Sequence, residues 1–367
     1  MKQRVLMIIG NELCIAGVPN VIMNIVETLS AFYTFDILTF STKTGELDAQ
    51  FLSYGGKIYT IELPRYPECP ITCFFAYQIL YNKLRRIFRE NSYHVVHGHT
   101  GCYDGICLRA AQKARIPVRI SHAHGEYKWS GRNLLVKYYL EYGKKMISKF
   151  ATQRVACSDV AGKTLFLHQS FQNLLNPVDV TLYDNKERRP HDGIQLLQIG
   201  YFCAGKNQLF SINLLAYILK LGRCAHLSFI GYPSEQKYFE QIQSVIANDN
   251  LSDYISFLPR DFDKRKAFFA ADYTLLPSVS EGLPLVALES QAAGVPCLMS
   301  DNISTYADVG AGFFLPHNNL GEWANTIIRG VNVDSRRLHN NLQKVSKQAY
   351  ADRIKNLYEQ KTITSNE

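Results

Sequence analysis

The chain has 367 residues, of which 47% are hydrophobic, enough for about two domains with a core each. No apolar run reaches the roughly 18 residues that a bilayer span needs, the nearest lying at 71–81. Nine cysteines without a CxxC pair argue against a disulfide framework or a zinc site and for a reduced cytosol. The net charge of +8 is uneven: residues 1–190 carry 24 Lys and Arg against 15 Asp and Glu, residues 191–367 carry 16 against 17.

The first ten residues are basic and then apolar, but five apolar residues without a cleavage site read as a strand at 5–9, not as a signal peptide. A helix at 18–32, strands at 35–40 and 57–61 and a helix at 74–89 follow. A strand at 93–97, a helix at 105–114, a strand at 118–122, a helix at 133–150, a strand at 154–157, a helix at 161–168 and a strand at 171–175 continue the alternation. Such alternation means parallel βαβ units. Residues 176–193 are polar and turn-rich and read as a linker between domains at 1–178 and 192–349. The second series has strands at 195–199, 227–230, 254–258 and 273–276, with helices at 208–221, 236–247 and 264–270 between them, and helices at 322–359 end it. The expected fold class is therefore α/β, two doubly wound Rossmann-like domains whose strand ends would face a central cleft.

The stretch 277–296 is the most informative. After a strand closed by Pro277, a helix should start near Leu283 with Pro284 in its first turn, and should end at Gly294 with Pro296 beyond it. That helix is apolar on most faces, with Glu289 as its only charge. A buried carboxylate needs a cation, protein donors or ligand hydroxyls. Glu281 lies in the loop at the helix start, where unpaired N–H groups also favour an anion such as phosphate. From spacing alone, a cavity bordered by both carboxylates and a plain cap plus a Glu289 ion pair both stay open.

Ser280-Glu-Gly-Leu-Pro-Leu-Val-Ala-Leu-Glu-Ser-Gln-Ala-Ala-Gly294 resembles the E-x7-E signature of family 4 retaining glycosyltransferases of the GT-B fold, of the capsule and exopolysaccharide type. Ile199-Gly200-Tyr-Phe-Cys-Ala-Gly205-Lys206-Asn207 is similar to that family's phosphate loop, with Gly200 and Lys206 matching. Tyr201 stands where most members have Arg, so one of two expected phosphate cations is missing, and Arg260 or Lys128 would have to compensate. Cys14-Ile-Ala-Gly17-Val18 is similar to the family's Gly-Gly loop, with Ala16 for the first glycine. The absence of a GxGxxG argues against a nicotinamide enzyme. Cys157-Ser158, Leu175-Asn176-Pro177 and Leu258-Pro-Arg260 match further landmarks, so the resemblance extends to about Phe314. In this fold the last helix commonly returns to the first domain, which would place about 350–367 there.

Two H-x-H pairs, His97-Gly-His99 and His122-Ala-His124, end two strands. No carboxylate or cysteine cluster joins them, so a metal site is not expected. The resemblance implies that His124 contacts the donor sugar or orients the acceptor, while packing or hydrogen bonding is the expectation for the other three. It further implies that Glu289 holds the ribose diol, that Glu281 with the N–H groups of Gly282 and Leu283 holds the sugar hydroxyls and phosphate, and that Lys206 takes the leaving diphosphate. Gly17, Asn207 and Arg260 complete the expected donor site, and no cofactor is implied.

The implied activity is transfer of a hexose or N-acetylhexosamine from a nucleotide sugar, UDP-linked by preference, to a glycan or polyprenyl-diphosphate-linked acceptor. A sugar-nucleotide epimerase of the same fold, or a non-catalytic nucleotide-sugar or glycan binder, are the rival readings. The segment 134–150 mixes aromatic and aliphatic residues with Lys137, Lys144, Lys145 and Lys149; with Lys83, Arg85, Arg86 and Arg89 it suits either an anionic membrane surface or plain solvation. Without a recognition motif the charge does not suggest nucleic acid. A cytoplasmic enzyme, peripheral at the inner face of the membrane, fits this set.

Overall fold

The structure, a computed structural model, describes residues 2–15, 17–63, 70–127, 133–183 and 191–359. Lys128, named above as a compensating cation, and Ala16 lie outside the described residues. The chain divides into one unit of residues 1–177 with 347–367 and a second of residues 178–346.

In the first unit β1 (Gln3–Ile9), α1 (Gly17–Leu29), β2 (Tyr33–Thr39), α2 (Asp48–Ser53), β3 (Ile58–Thr60), α3 (Pro70–Glu90) and β4 (Val95–Gly98) come first. They are followed by α4 (Asp104–Lys113), β5 (Val118–Ala123), α5 (Leu134–Phe150), β6 (Gln153–Ala156), α6 (Asp159–Phe166) and β7 (Gln172–Asn173). The strands form a parallel sheet of order β3-β2-β1-β4-β5-β6-β7. Val5 to Ile9 are all buried because helices cover both faces, which is why β1 reads as an unbroken apolar run instead of an alternating one.

The second unit holds β8 (Ile194–Ile199), α7 (Gln208–Lys220), β9 (Ala225–Ile230), α8 (Gln236–Asn248), β10 (Ile255–Leu258), α9 (Lys264–Ala270) and β11 (Tyr273–Leu276). After these come α10 (Leu285–Ala292), β12 (Cys297–Ser300), β13 (Gly312–Leu315), α11 (Leu320–Arg329) and α12 (Ser335–Lys344). Its sheet is also parallel, in the order β10-β9-β8-β11-β12-β13. The core is aromatic on the α7 side, where Phe210 meets the fully buried Trp323 edge-on with ring centroids 5.1 Å apart. The final helix, α13 (Lys347–Glu359), belongs with the first unit: it packs on α1, Lys347 pairs with Glu27, and Tyr358 is fully buried.

Two expectations need correction. The helix expected from Leu283 starts at Leu285, with Pro284 before it as an extended N-cap (ψ 119°). The residue ahead of a proline is pushed out of the helical region, so Leu283 cannot be helical. The helix ends near its expected stop, since Gly294 is left-handed (φ +70°) and its N–H donates to Gln291 O at 2.9 Å. On α5, Lys144 leaves the basic face: it is buried, and its ammonium donates to Tyr127 O (3.0 Å) and Glu141 (2.8 Å).

Candidate functional site

Doubly wound sheets bind ligands beyond the carboxyl ends of the strands, where the strand order reverses. In the second unit that point lies between β8 and β11. The loop after β8 ends in a short 3-10 turn at Ala204–Lys206, and Asn207 (φ +55°) turns the chain into α7. Three bonds lace this loop to the one after β11. Val279 N–H donates to Gly205 O (2.9 Å), Asn207 Nδ2 donates to Pro277 O (3.2 Å), and Lys206 Nζ pairs with Glu281. Ser278 Oγ also donates to Glu281 Oε1 (2.9 Å), and Gln198 Nε2 from β8 holds Lys206 O (2.8 Å). Lys206, Asn207 and Glu281 are thus one bonded group. Gly282 and Leu283 complete the turn into α10, whose N-cap residue, Pro284, makes no side-chain cap bond to its first N–H groups.

Glu289 lies one turn inside α10 and is largely buried, at 16% side-chain exposure. Both its oxygens accept from Lys264 Nζ, at 2.9 and 3.1 Å. The residues thus realise the ion-pair reading for Glu289, whereas Glu281 is held by a lysine and a serine. Lys264 was not singled out from the sequence, although a signal was there: it opens α9 behind the Asp263 cap, where a cation opposes the helix dipole unless it is paired elsewhere.

Arg260 follows β10, two strands from β8. Its guanidinium stands 4.4 Å from the ring centre of Tyr232, which meets Tyr201 at 4.7 Å. Strands β8, β9 and β10 therefore end in a Tyr201–Tyr232–Arg260 tier at one sheet edge. The strands there run close: a Cβ on Gly231 would lie 2.0 Å from Gly200 O.

In the first unit the reversal lies between β1 and β4. Gly17 opens α1 in open space, and the preceding loop is tied by Ile15 N–H donating to Glu46 (2.9 Å). His97 is the penultimate residue of β4 with His99 just beyond the strand, and His122 and His124 occupy the same places on β5. Neighbouring registers bring the four rings together: His97 Nε2 to His122 Nδ1 is 3.3 Å, and His99 Nδ1 to His124 Nε2 is 2.7 Å. His97 Nδ1 also bonds Tyr358 Oη from α13 at 3.0 Å. Burial first, then neighbouring imidazoles, holds His97, His99 and His122 well below the usual histidine pKa, and burial takes His124 to about 3.

Ligating nitrogens of His97, His99 and His122 lie within 4.8 Å of one another. The rings are stacked or tilted by 7–37°, and the nitrogens of His97 and His122 already face each other, which suits hydrogen bonding better than convergence on one ion. Beneath them Asp104 accepts from Thr100 and Ser121, and burial raises its pKa to about 6.

Residues 15–179 match the family Glycosyltransferase Family 4, and residues 179–361 match Glycosyl transferases group 1. EpsF of Bacillus subtilis, a glycosyltransferase by name, is 28% identical over 335 residues, 85% of this chain and 84% of its own. The UDP-Gal:alpha-D-GlcNAc-diphosphoundecaprenol alpha-1,3-galactosyltransferase of Escherichia coli is 22% identical over 265 residues, 67% of this chain and 68% of its own. The solved structure of Anabaena HepE in complex with UDP superposes with a TM-score of 0.76 at 16% identity, covering 97% of this chain and 99% of its own.

Proposed function

Because the chain belongs to glycosyltransferase family 4, with the two parallel-sheet units of the GT-B fold, we propose that it moves a hexose or N-acetylhexosamine from a UDP-sugar to a lipid-linked glycan in surface-polysaccharide assembly. Transfer would retain the anomeric configuration and need no metal ion. The observation that carries the reading is the Lys206–Glu281 pair across the β8–β11 reversal. There a diphosphate would draw the ammonium away from Glu281 and free that carboxylate for sugar hydroxyls. Stabilising charge on the departing diphosphate is the main electrostatic task of such chemistry. The N–H groups of Gly282 and Leu283, at the turn into α10, would add donors to Lys206. Arg260, held over Tyr232 in the Tyr201–Tyr232–Arg260 tier, would be the cation that compensates for the arginine that Tyr201 replaces. Glu289 would exchange Lys264 for the ribose diol, and His124 would meet the sugar or the acceptor.

The Escherichia coli relative acts, by its name, on a diphosphoundecaprenol-linked sugar with a UDP donor, which supports a lipid diphosphate acceptor here. No helix among the described residues is long and apolar enough to cross a membrane. An anionic leaflet would instead be met by α5 and α3, which expose Leu134, Leu135, Tyr138, Phe75 and Ile79 beside the exposed Lys137, Lys145, Lys83 and Arg85. Such a face would let the enzyme work at the cytoplasmic side of the membrane, where lipid-linked acceptors would be presented.

The test is to incubate the protein with a panel of UDP- and GDP-sugars, with and without membrane extract and with EDTA in parallel, and to measure nucleoside diphosphate release. Release from one UDP-sugar that rises with extract and survives EDTA supports the reading. Binding of nucleotide without release from any donor overturns it in favour of a non-catalytic binder.

A further inference from the structure

Hydrogen-bond accounting in the histidine cluster determines which nitrogen of each ring carries the proton. A neutral imidazole has one N–H donor and one bare nitrogen acceptor. His99 Nε2 and His122 Nε2 are both shut from solvent and meet no partner among the described residues. Buried N–H groups without an acceptor are rarer than buried acceptors without a donor, so both protons belong on Nδ1.

Two directed chains follow. His122 Nδ1–H donates to His97 Nε2 (3.3 Å), which moves the His97 proton to Nδ1, where it is donated to Tyr358 Oη (3.0 Å). The tyrosine hydroxyl in turn points to Met7 Sδ at 3.9 Å, the direction that this polarity requires. In the second chain His99 Nδ1–H donates to His124 Nε2 (2.7 Å). His124, the one member of the four that is partly exposed, then carries its proton on Nδ1, the reverse of the tautomer that prevails for histidine side chains in water.

We infer that His99 is a positioning residue that locks His124 in the Nδ1–H tautomer, so that His124 meets its substrate as a hydrogen-bond donor and not as the base that deprotonates the acceptor hydroxyl. This rests on the proposal that His124 lies against the donor sugar or the acceptor. The partner it suits is an oxygen with a lone pair or developing negative charge, such as a sugar hydroxyl or a phosphate oxygen. The proton of the acceptor hydroxyl then leaves to another group. With both nitrogens of His99 fixed by burial and by this bond, His124 also has a defined ring orientation.

Long-range proton–nitrogen correlation spectra of the full-length protein, with histidine labelled in nitrogen-15 and assigned through His124→Gln, test the inference. The expected spectrum shows His124 with a protonated Nδ1 and a bare Nε2, unchanged between pH 6 and pH 8. His99→Asn, whose amide falls near the lost Nδ1, keeps that pattern. His99→Leu loses it and lowers kcat about 10-fold, the scale for removing an orienting partner, with the donor KM unchanged. A wild-type His124 protonated on Nε2, or doubly protonated, overturns the inference even if the His99 variants fail to fold. A protonated Nδ1 in a protein that turns over no nucleotide sugar upholds the tautomer and refutes only the transfer reading.

Discussion

Replacing Lys206 by Met keeps the stem and removes the ammonium that holds Glu281. At salt-bridge distance and an effective dielectric near 20, two unit charges attract by about 4 kcal/mol, most of which offsets the cost of desolvating them. The pair is only partly buried, with side-chain exposures of 27% and 14%, and Glu281 keeps the Ser278 hydroxyl at 2.9 Å. The net loss of stability should therefore be about 1–2 kcal/mol, a few degrees in Tm for a unit of this size. Catalysis should suffer far more, because the same ammonium would stabilise the departing diphosphate: kcat should fall about 10²–10³-fold. Thermal melting gives the first quantity and nucleoside diphosphate release from the productive donor gives the second. In the double variant Lys206→Met/Glu281→Gln the two losses should be non-additive, since the residues share one bond. A folded Lys206→Met protein whose kcat stays within threefold of wild type would refute the reasoning.

Glu289→Gln removes the charge paired with Lys264 and weakens its bonds to a ribose diol, so UDP affinity measured by titration calorimetry should fall about 10-fold; an unchanged Kd contradicts the ribose role. Gly98→Ala places a Cβ 2.3 Å from Asp104 Oδ1, which Thr100 holds by two bonds, so the urea midpoint should drop by the equivalent of about 3 kcal/mol. Stability should also fall in acid. The four histidines have folded pKa values below the unfolded value of about 6.5, so their contribution is full above that pH and is lost progressively as pH falls below it toward the folded values. Asp104, raised to about 6, acts oppositely and costs stability as pH rises from about 4 to 6. The histidines outnumber Asp104, so urea midpoints should fall as pH drops from 7.5 to 5, and a flat profile over that range would contradict neutral buried imidazoles.

Much of the fold is legible because parallel strands buried on both faces leave apolar runs of four to seven residues, and Gly294 and Pro296 mark where α10 must stop. The start of α10 was displaced because Pro284 constrains the residue before it more than it favours its own helical position. The strands β12 and β13, four residues each, were not assigned, and α2, at six residues, is too short for periodicity to register. In the site, the two glutamates, Lys206 and the histidine pairs stand out by type and spacing. Their partners do not: Lys264 reaches Glu289 from another helix, and Tyr358 reaches His97 across 261 residues of sequence. Such bonds depend on strand order and register, which no local pattern encodes. The basic face of α5 shows the reverse error, since Lys144 has the right charge and spacing for a surface yet is turned inward to Tyr127 and Glu141.

The most direct measurement is a crystal structure of the protein with UDP. The diphosphate should lie against the β8 loop, with Lys206 Nζ moved from Glu281 to a phosphate oxygen and Glu289 bonded to the ribose diol. Nucleotide bound away from the β8–β11 reversal, or bound there with the Lys206–Glu281 pair intact and the ribose out of reach of Glu289, would contradict this arrangement.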